Sequence, residues 1–364
     1  MQITVSTKDL QQVLELVSRV STKHVTLPVL QCVLIEATKT SVSFKATNLE
    51  IGVEANLSAT IEEEGVVAVP ASVLLQTVNL ITQPKTTLRH EDNTLVVESA
   101  GSETQIKCIS HEEFPTIPKL EGKGQTINNQ LFSLGIKTAA FAVSQSSIKP
   151  ELGSIYVFQK KEHTLTFVST DSFRLVEKTV SQKGVVFDNS VLLPQKNAVE
   201  IARICESKQE DPICRVNDNQ LSLEFSDVLY ITSRLTTGSF PDYEQIIPKE
   251  YSTHTTLLRN DFLQAFKKTS IFLNKFFQVS FHVTTKSLTI SANNNDVGTT
   301  TESISAQTEG EDLTLSFNQR YVSEALPHFT DDSITLHFAG IGRPLVIKGL
   351  HDNTLRYLVM PMNK

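Results

Sequence analysis

Apolar residues recur along the chain in two alternating rhythms. From Ile3 the segment ITVSTKDLQQVLELVSRV alternates like a strand, then sets Leu10, Val13, Leu14 and Val17 at helical intervals behind a Ser/Thr/Asp start signal. The same rhythm returns after Thr126, in INNQLFSLGIKTAAFAV, and after Thr255, in TLLRNDFLQAFKKTSIF. Each occurrence is followed by strand-rich sequence, so the pattern predicts three β-α-β segments.

Later motifs fix the period. ATNLEIGVE from Ala46, STDSFRLVE from Ser169 and ANNNDVGTT from Ala292 lie 123 residues apart. A second set, VPASVLLQTV with Pro70, LPQKNAVEIA with Pro194 and FNQRYVSEAL with Asn318, steps by 124. The two prolines precede helical patterns, where a missing N–H costs nothing because first-turn donors are unpaired. Each repeat therefore carries a second helix. Short alternating runs near Val96, Leu223 and Val346, fed by Asn and Asp turn residues, supply further strands. The expectation is an α+β chain of three tandem domains, each two copies of a β-α-β-β-β unit. Phe114-Pro115 and Phe240-Pro241 sit in matching junctions where proline interrupts a strand ladder, which places the domains at 1–122, 123–250 and 251–364.

Composition narrows the function classes. With 40% hydrophobic and 20% charged residues the chain is globular rather than disordered. No basic stretch leads into an apolar one at the amino terminus, and no apolar run of membrane-spanning length occurs, so a cytoplasmic protein without membrane contact is expected. Cys32, Cys108, Cys205 and Cys214 lack paired spacing and read as small core residues, not as metal ligands or disulfides. The nine histidines are scattered, and no nucleophile elbow, phosphate loop or zinc motif is present. Neither an enzyme nor a cofactor or metal protein is expected.

Four motifs in order, TLPVL at Thr26 to Leu30, TDSFRL at Thr170 to Leu175, FPDY from Phe240 and YLVMPM at Tyr357 to Met362, resemble bacterial DNA polymerase III β subunits, the replication sliding clamps. The match runs end to end. It implies clamp-like domains in a homodimer closed head to tail, with helices lining a ring and sheets outside. It further implies a processivity factor that encircles double-stranded DNA without reading its sequence. The implied partners are the DNA polymerase catalytic subunit, the clamp loader and other proteins bearing short clamp-binding motifs. The competing reading is a tandem-repeat scaffold that does not encircle DNA.

The net charge of −7 argues at face value against a DNA partner. Partitioned, it does not: helical windows 7–23, 71–85, 129–149, 195–208, 259–275 and 318–328 carry +8 together and leave −15 to the rest. A basic channel inside an acidic exterior directs DNA to one surface. Lys23, His24, Lys137, Lys149, Lys196, Arg203, Lys267, Lys268 and Arg320 are the expected DNA-facing residues. Of these, Lys149 and Lys196 match basic positions of the family. His24 stands where relatives can have arginine and Ser72 replaces a basic residue, so weaker DNA contact is expected from repeat one.

The resemblance also implies a groove for an apolar partner peptide between repeats two and three. Carried over, its residues are Leu152, Thr170, Ser172, Phe173, Arg174, Leu175, Pro241, Gln245, Ile246, Asn318, Tyr321, Leu358, Val359, Met360, Pro361 and Met362. Ser172-Phe173 stands where a Gly-His pair is common and Gln245 replaces a basic residue, so a variant peptide is expected. Ile106 on repeat one, matched to Ile271 and Phe272 on repeat three, is the expected dimer contact.

Overall fold

The computed structural model describes residues 1–21, 26–146, 148–183, 189–226 and 228–362. Repeat one runs β1 (Gln2–Ser6), α1 (Thr7–Ser18), β2 (Cys32–Ala37), β3 (Val42–Thr47), β4 (Ile51–Leu57), β5 (Ala59–Glu63), β6 (Gly65–Pro70), α2 (Ala71–Asn79), β7 (Lys85–Glu91), β8 (Thr94–Ser99) and β9 (Ser102–Lys107). Repeat two follows with β10 (Gln125–Thr126), α3 (Asn129–Ala139), β11 (Ser154–Phe158), β12 (Thr164–Thr170), β13 (Arg174–Ser181), β14 (Val191–Pro194), α4 (Gln195–Ser207), β15 (Ile213–Val216), β16 (Gln220–Phe225) and β17 (Leu229–Arg234). Repeat three is β18 (Thr253–Leu258), α5 (Arg259–Thr269), β19 (Gln278–Val283), β20 (Ser287–Asn294), β21 (Gly298–Gly310), β22 (Leu313–Asn318), α6 (Gln319–Ala325), β23 (Ser333–Phe338), β24 (Leu345–Gly349) and β25 (Leu355–Val359). Repeats two and three are each two β-α-β-β-β units, as the sequence predicts. Repeat one differs by the extra β5: its β4 pairs with β3 and β5 with β1, whereas β21 makes the equivalent two pairings as one strand.

Local chemistry explains where the helices start. Ser6 caps α1 by accepting from the Asp9 amide at 3.4 Å, and Asn318 caps α6 by accepting from Arg320 at 3.0 Å. Pro70 and Pro194 close β6 and β14, both edge strands, where an absent N–H removes no ladder bond. Leu10, Val13, Leu14 and Val17 are all buried, as are Phe132 and Ile136 on α3 and Phe262 and Phe266 on α5. The four cysteines are buried free thiols. Burial pushes the thiols of Cys32, Cys205 and Cys214 up to about 12. Among the described residues, no helix is long and apolar enough to cross a membrane.

The three repeats pack as two compact units. One is built from Met1–Ser133 and Lys196–Leu235, the other mainly from Leu134–Lys183 and the chain from Thr236 onward. The first contains a five-stranded sheet, β5-β1-β7-β8-β9, and an eight-stranded sheet, β10-β15-β16-β17-β4-β3-β2-β6. The second contains a twelve-stranded array, β14-β11-β12-β13-β25-β24-β23-β18-β21-β20-β19-β22. Repeat two is thus divided between them, because a strand seam ties each of its halves to a neighbour.

In the first seam β4 lies antiparallel to β17, with Ile51 opposite Ser233, Gly52 opposite Thr232 and Val53 opposite Ile231. The residues facing out here are small, and the following linker fills the space. A Cβ on Gly52 would lie 2.9 Å from Ile117. The Tyr230 hydroxyl fastens that linker, accepting from the Leu120 amide at 2.8 Å and donating to the Pro118 carbonyl at 3.1 Å.

Candidate functional site

The TDSFRL turn joins β12 to β13 and organises the candidate partner site. Asp171 drives it: one carboxylate oxygen accepts from the Phe173 and Arg174 amides, both at 3.0 Å, and the other takes the Arg174 Nε at 2.9 Å. Thr170 Oγ1 accepts from the Ser172 amide at 3.1 Å and donates to the Arg174 carbonyl at 2.7 Å. Ser172 is held at φ 77°, a left-handed conformation that glycine adopts without steric cost.

Arg174 is buried and fully engaged. Besides Asp171 it donates to Glu324 and, at 2.9 Å, to the Phe141 carbonyl. Its guanidinium lies over the rings of Tyr321 and Phe141, at 4.7 and 5.5 Å. Burial opposes the charge, but the Glu324 hydrogen bond and the nearby carboxylates outweigh it and hold the guanidinium more firmly protonated than usual. Phe173 stacks on Tyr321 at 6.3 Å, and Phe141 stacks on His328 at 4.6 Å. A ladder of planar groups therefore runs from exposed Phe173 through Tyr321, Arg174 and Phe141 to His328.

β25 completes the site by pairing with β13, Arg174 opposite Val359 and Leu175 opposite Leu358. Beyond the strand, the Met360 amide donates to the Phe173 carbonyl at 2.8 Å and the Met362 amide to the Ser316 carbonyl at 2.7 Å. Val168, Leu175, Val346, Leu358 and Tyr243 form a buried cluster with Met360 and Ile247 packed on it. Tyr243 donates from its hydroxyl to Glu177 at 2.6 Å, and Lys160 reaches Glu177 at 2.9 Å. Burial would raise the Glu177 carboxyl, but these donors hold it below the usual range.

Of the sixteen residues expected at the site, Leu175, Leu358 and Val359 are wholly buried and serve as its floor. Leu152 and Thr170 are also buried, Leu152 in the loop after α3, where its carbonyl accepts from the Ser144 amide at 2.8 Å. Ser172, Phe173, Pro241, Gln245 and Ile246 are exposed, and Asn318, Tyr321, Met360, Pro361 and Met362 are half-buried. Gln245 and Ile246 sit on a short 3-10 turn, Tyr243–Ile246, where Gln245 donates to Asp242 at 2.6 Å. Sequence reasoning missed Phe141, Glu324, Tyr243 and Glu177. Tyr243 and Glu177 carried a signal, since one ends the FPDY junction and the other ends the repeated STDSFRLVE motif.

Comparison with known proteins supplies the family. Sequence profiles described as the N-terminal, central and C-terminal domains of the DNA polymerase III beta subunit match residues 1–118, 126–242 and 244–363 in order. The chain belongs to the DNA polymerase III β subunit family, the sliding clamps. A Bacillus subtilis beta sliding clamp is 26% identical over 378 residues, spanning 100% of this chain and 99% of that one. The Thermotoga maritima DNA polymerase III β subunit superposes with a TM-score of 0.94 at 24% identity, covering 100% and 99% of the two chains. A Pseudomonas aeruginosa sliding clamp solved with griselimycin superposes at 0.93 with 23% identity, both chains covered in full. Sliding clamps are processivity factors, not enzymes.

The clamp's other expected residues fall on several elements. Lys23 and His24 lie outside the described residues. Lys137 closes α3, Lys149 lies in the loop beyond it, and Lys196 opens α4; all three are exposed. Exposed Arg203 is tied to Glu200 at 2.9 Å, and Lys268, beside Lys267 in the last turn of α5, to Glu302 at 2.8 Å. Arg320 lies 3.5 Å over the Phe277 ring. On α2 the exposed side chains are Ser72, Val73, Gln76 and Asn79, none of them charged. Ile271 is 67% exposed and Phe272 half-buried, but Ile106 is only 5% exposed. Ile106 points into the core of its own sheet, so its side chain offers little area to a partner.

Proposed function

We propose that this chain closes head to tail with a second copy into a ring around duplex DNA and tethers the replicative polymerase and other motif-bearing proteins to it. The observation that carries this reading is an unfinished third seam. Ile51, Arg174 and Val297 occupy equivalent places 123 residues apart, and the strand partners Ser233 and Val359 lie 126 apart. Stepping back another 126 from Ser233 reaches Lys107 on β9. Among the described residues β9 pairs only with β8, and the Gly298–Ser305 stretch of β21 only with β20. Two unpaired edges that correspond to two completed seams are complementary templates. A second copy satisfies both, and a heterologous contact repeated once closes a ring. The implied register sets Thr299 opposite Gln105 and Thr300 opposite Thr104. Phe272 lies beside it, 3.7 Å from where a Cβ on Gly298 would stand.

The domain boundaries in this reading are 122 and 250, and the protein works in the cytoplasm. Exposed lysines of repeats two and three hold the DNA backbone through exchangeable phosphate contacts. Repeat one contributes less, given the uncharged face of α2. Partner peptides dock over Phe173, Ile246, Tyr321, Met360 and Met362 on the buried Leu175–Leu358 floor.

The test joins register and topology. A Thr299→Cys, Gln105→Cys chain should form an oxidised covalent dimer, and neither single variant should. Loaded onto nicked circular DNA, the protein should stay bound at high salt and be lost once the circle is linearised. A monomer at micromolar concentration that leaves circular and linear DNA alike would overturn the reading.

A further inference from the structure

The two completed seams fill their outer faces differently. In the second, where β13 pairs with β25, Tyr156 stacks on Phe158 and on Phe240, each at 4.8 Å between ring centres, and Tyr243 meets Phe240 edge-on at 6.3 Å. Strand register identifies the counterparts in the first. Tyr156 lies opposite Val168 and Phe158 opposite Thr166; Leu34 lies opposite Lys45 and Glu36 opposite Ser43. Lys45 and Val168 are 123 residues apart, as are Ser43 and Thr166. Phe114 and Ile117 stand 126 residues before Phe240 and Tyr243. Of these rings the first seam therefore keeps only that of Phe114.

Where the rings are missing, a cleft of about 490 Å³ lies between the β2-β3-β4 face and the 114–119 linker, a size that suits a small molecule. Leu34, Phe114 and Ile117 give it apolar walls, and Lys45, Glu54 and Lys119 give it polar ones. Both cations already face acids, Lys45 reaching Glu36 at 2.7 Å and Lys119 reaching Glu54 at 3.4 Å. An anion in the cleft would meet Glu54 and a cation would meet the two lysines, so the walls favour a neutral occupant. Glu54 is the counterpart of Glu177, whose carboxylate accepts the Tyr243 hydroxyl at 2.6 Å. Its side chain is 13% exposed against 8% for Glu177, so both are largely withdrawn from water. Ile117 brings no hydroxyl to it, and among the described residues the Glu54 carboxylate accepts only from Lys119.

We propose that this cleft binds a small neutral phenol, its ring laid against Phe114 between Leu34 and Ile117 and its hydroxyl donating to Glu54 as Tyr243 donates to Glu177. The ligand supplies from outside the ring and the hydrogen bond that the second seam carries in its own side chains. Stacking and apolar burial hold the ring, and the carboxylate makes the hydrogen bond a charge-assisted one. The site is separate from the partner-peptide groove and does not depend on that reading.

Saturation-transfer NMR titrations of the full chain test this with phenol and with anisole, which keeps the ring and loses the donor. Phenol should bind about tenfold more tightly, as expected of a hydrogen bond to a charged group. Glu54→Ala should erase that difference. Leu34→Tyr, which refills the cleft as Tyr156 fills the second seam, should abolish binding of both ligands, with circular dichroism checking that the chain is folded. Equal affinities in the unaltered chain, or a preference that survives Glu54→Ala, overturn the proposal. So does phenol that fails to bind the unaltered chain, or that binds undiminished to folded Leu34→Tyr and therefore lies elsewhere. If Leu34→Tyr does not fold, the Glu54→Ala comparison alone decides.

Discussion

The two completed seams share one geometry and different chemistry. In both, a middle strand of one repeat meets the last strand of another, and the linker residue three places after the junction phenylalanine closes the outer face. In the first seam that residue is Ile117, seated on Gly52; in the second it is Tyr243, seated on Leu175 and Leu358 and bonded to Glu177. The equivalent of Glu177 is Glu54, which among the described residues pairs only with Lys119 at 3.4 Å, a lysine with 62% of its side chain exposed. The first seam is a joint sealed by small residues. The second has a charged, aromatic and partly exposed superstructure built over the same backbone pairing. The backbone joint is common to both, and the side chains built over it set the second copy apart.

Removing the acid from each seam should separate them most. Glu177→Ala leaves the Tyr243 hydroxyl without its acceptor at a buried position, while Lys160 keeps Glu244 at 2.8 Å, and should cost about 1–3 kcal/mol. Glu54→Ala should cost at most about 1 kcal/mol, because its partner is solvated. Urea denaturation of the two variants measures the difference, and equal losses would erase the contrast.

Mild acid should distinguish the seams next. One row across the second unit's sheet runs His254, His337, Val346, Leu358, Leu175. The first seam has no histidine in its Ser222, Thr232, Gly52 row. Burial, then Lys348 and His254, lower His337 to about 4, with Tyr251 packed against both histidines. A folded pKa below the unfolded value of 6.5 means the unfolded chain takes up the proton first. The stability is present above about 6.5 and is lost as pH falls toward about 4. His337→Gln should flatten this part of the thermal-melt profile against pH, and an identical slope in both proteins would exclude the histidine.

The smallest effect concerns what the seams share. Leu49 and Ser172, 123 residues apart, both sit at φ 77°. Glycine at either position should stabilise the fold by up to about 1 kcal/mol. Differential scanning calorimetry would detect gains at both, and a gain at one alone would show that the turns are not equivalent.

Much of this was legible in the sequence because repetition amplifies weak signals. The helix positions, the junction prolines and the place of the TDSFRL turn all follow from the period. Within that turn, Asp171 three residues before Arg174 is a local pattern. The rest of the site is not local: Glu324 lies 150 residues from Arg174, and Phe141 lies 33 away. No spacing rule connects them before the chain folds. Burial was equally hidden. Val359 belongs to the floor, so a cut meant to remove only the surface must fall after it, and Ile106 faces inward from β9. The charge partition counted Arg203 and Lys268 as cations, and folding gives each a nearby carboxylate.

The buried thiols carry a practical consequence. With Cys32, Cys205 and Cys214 raised to about 12 and Cys108 also raised by burial, almost no thiolate is present near neutrality. The native chain is therefore nearly inert to maleimides and mild oxidants. A cysteine placed on β9, on β21 or at the Phe173 tip would be the sole reactive handle, so dyes or cross-links could be installed there without first deleting the natural four.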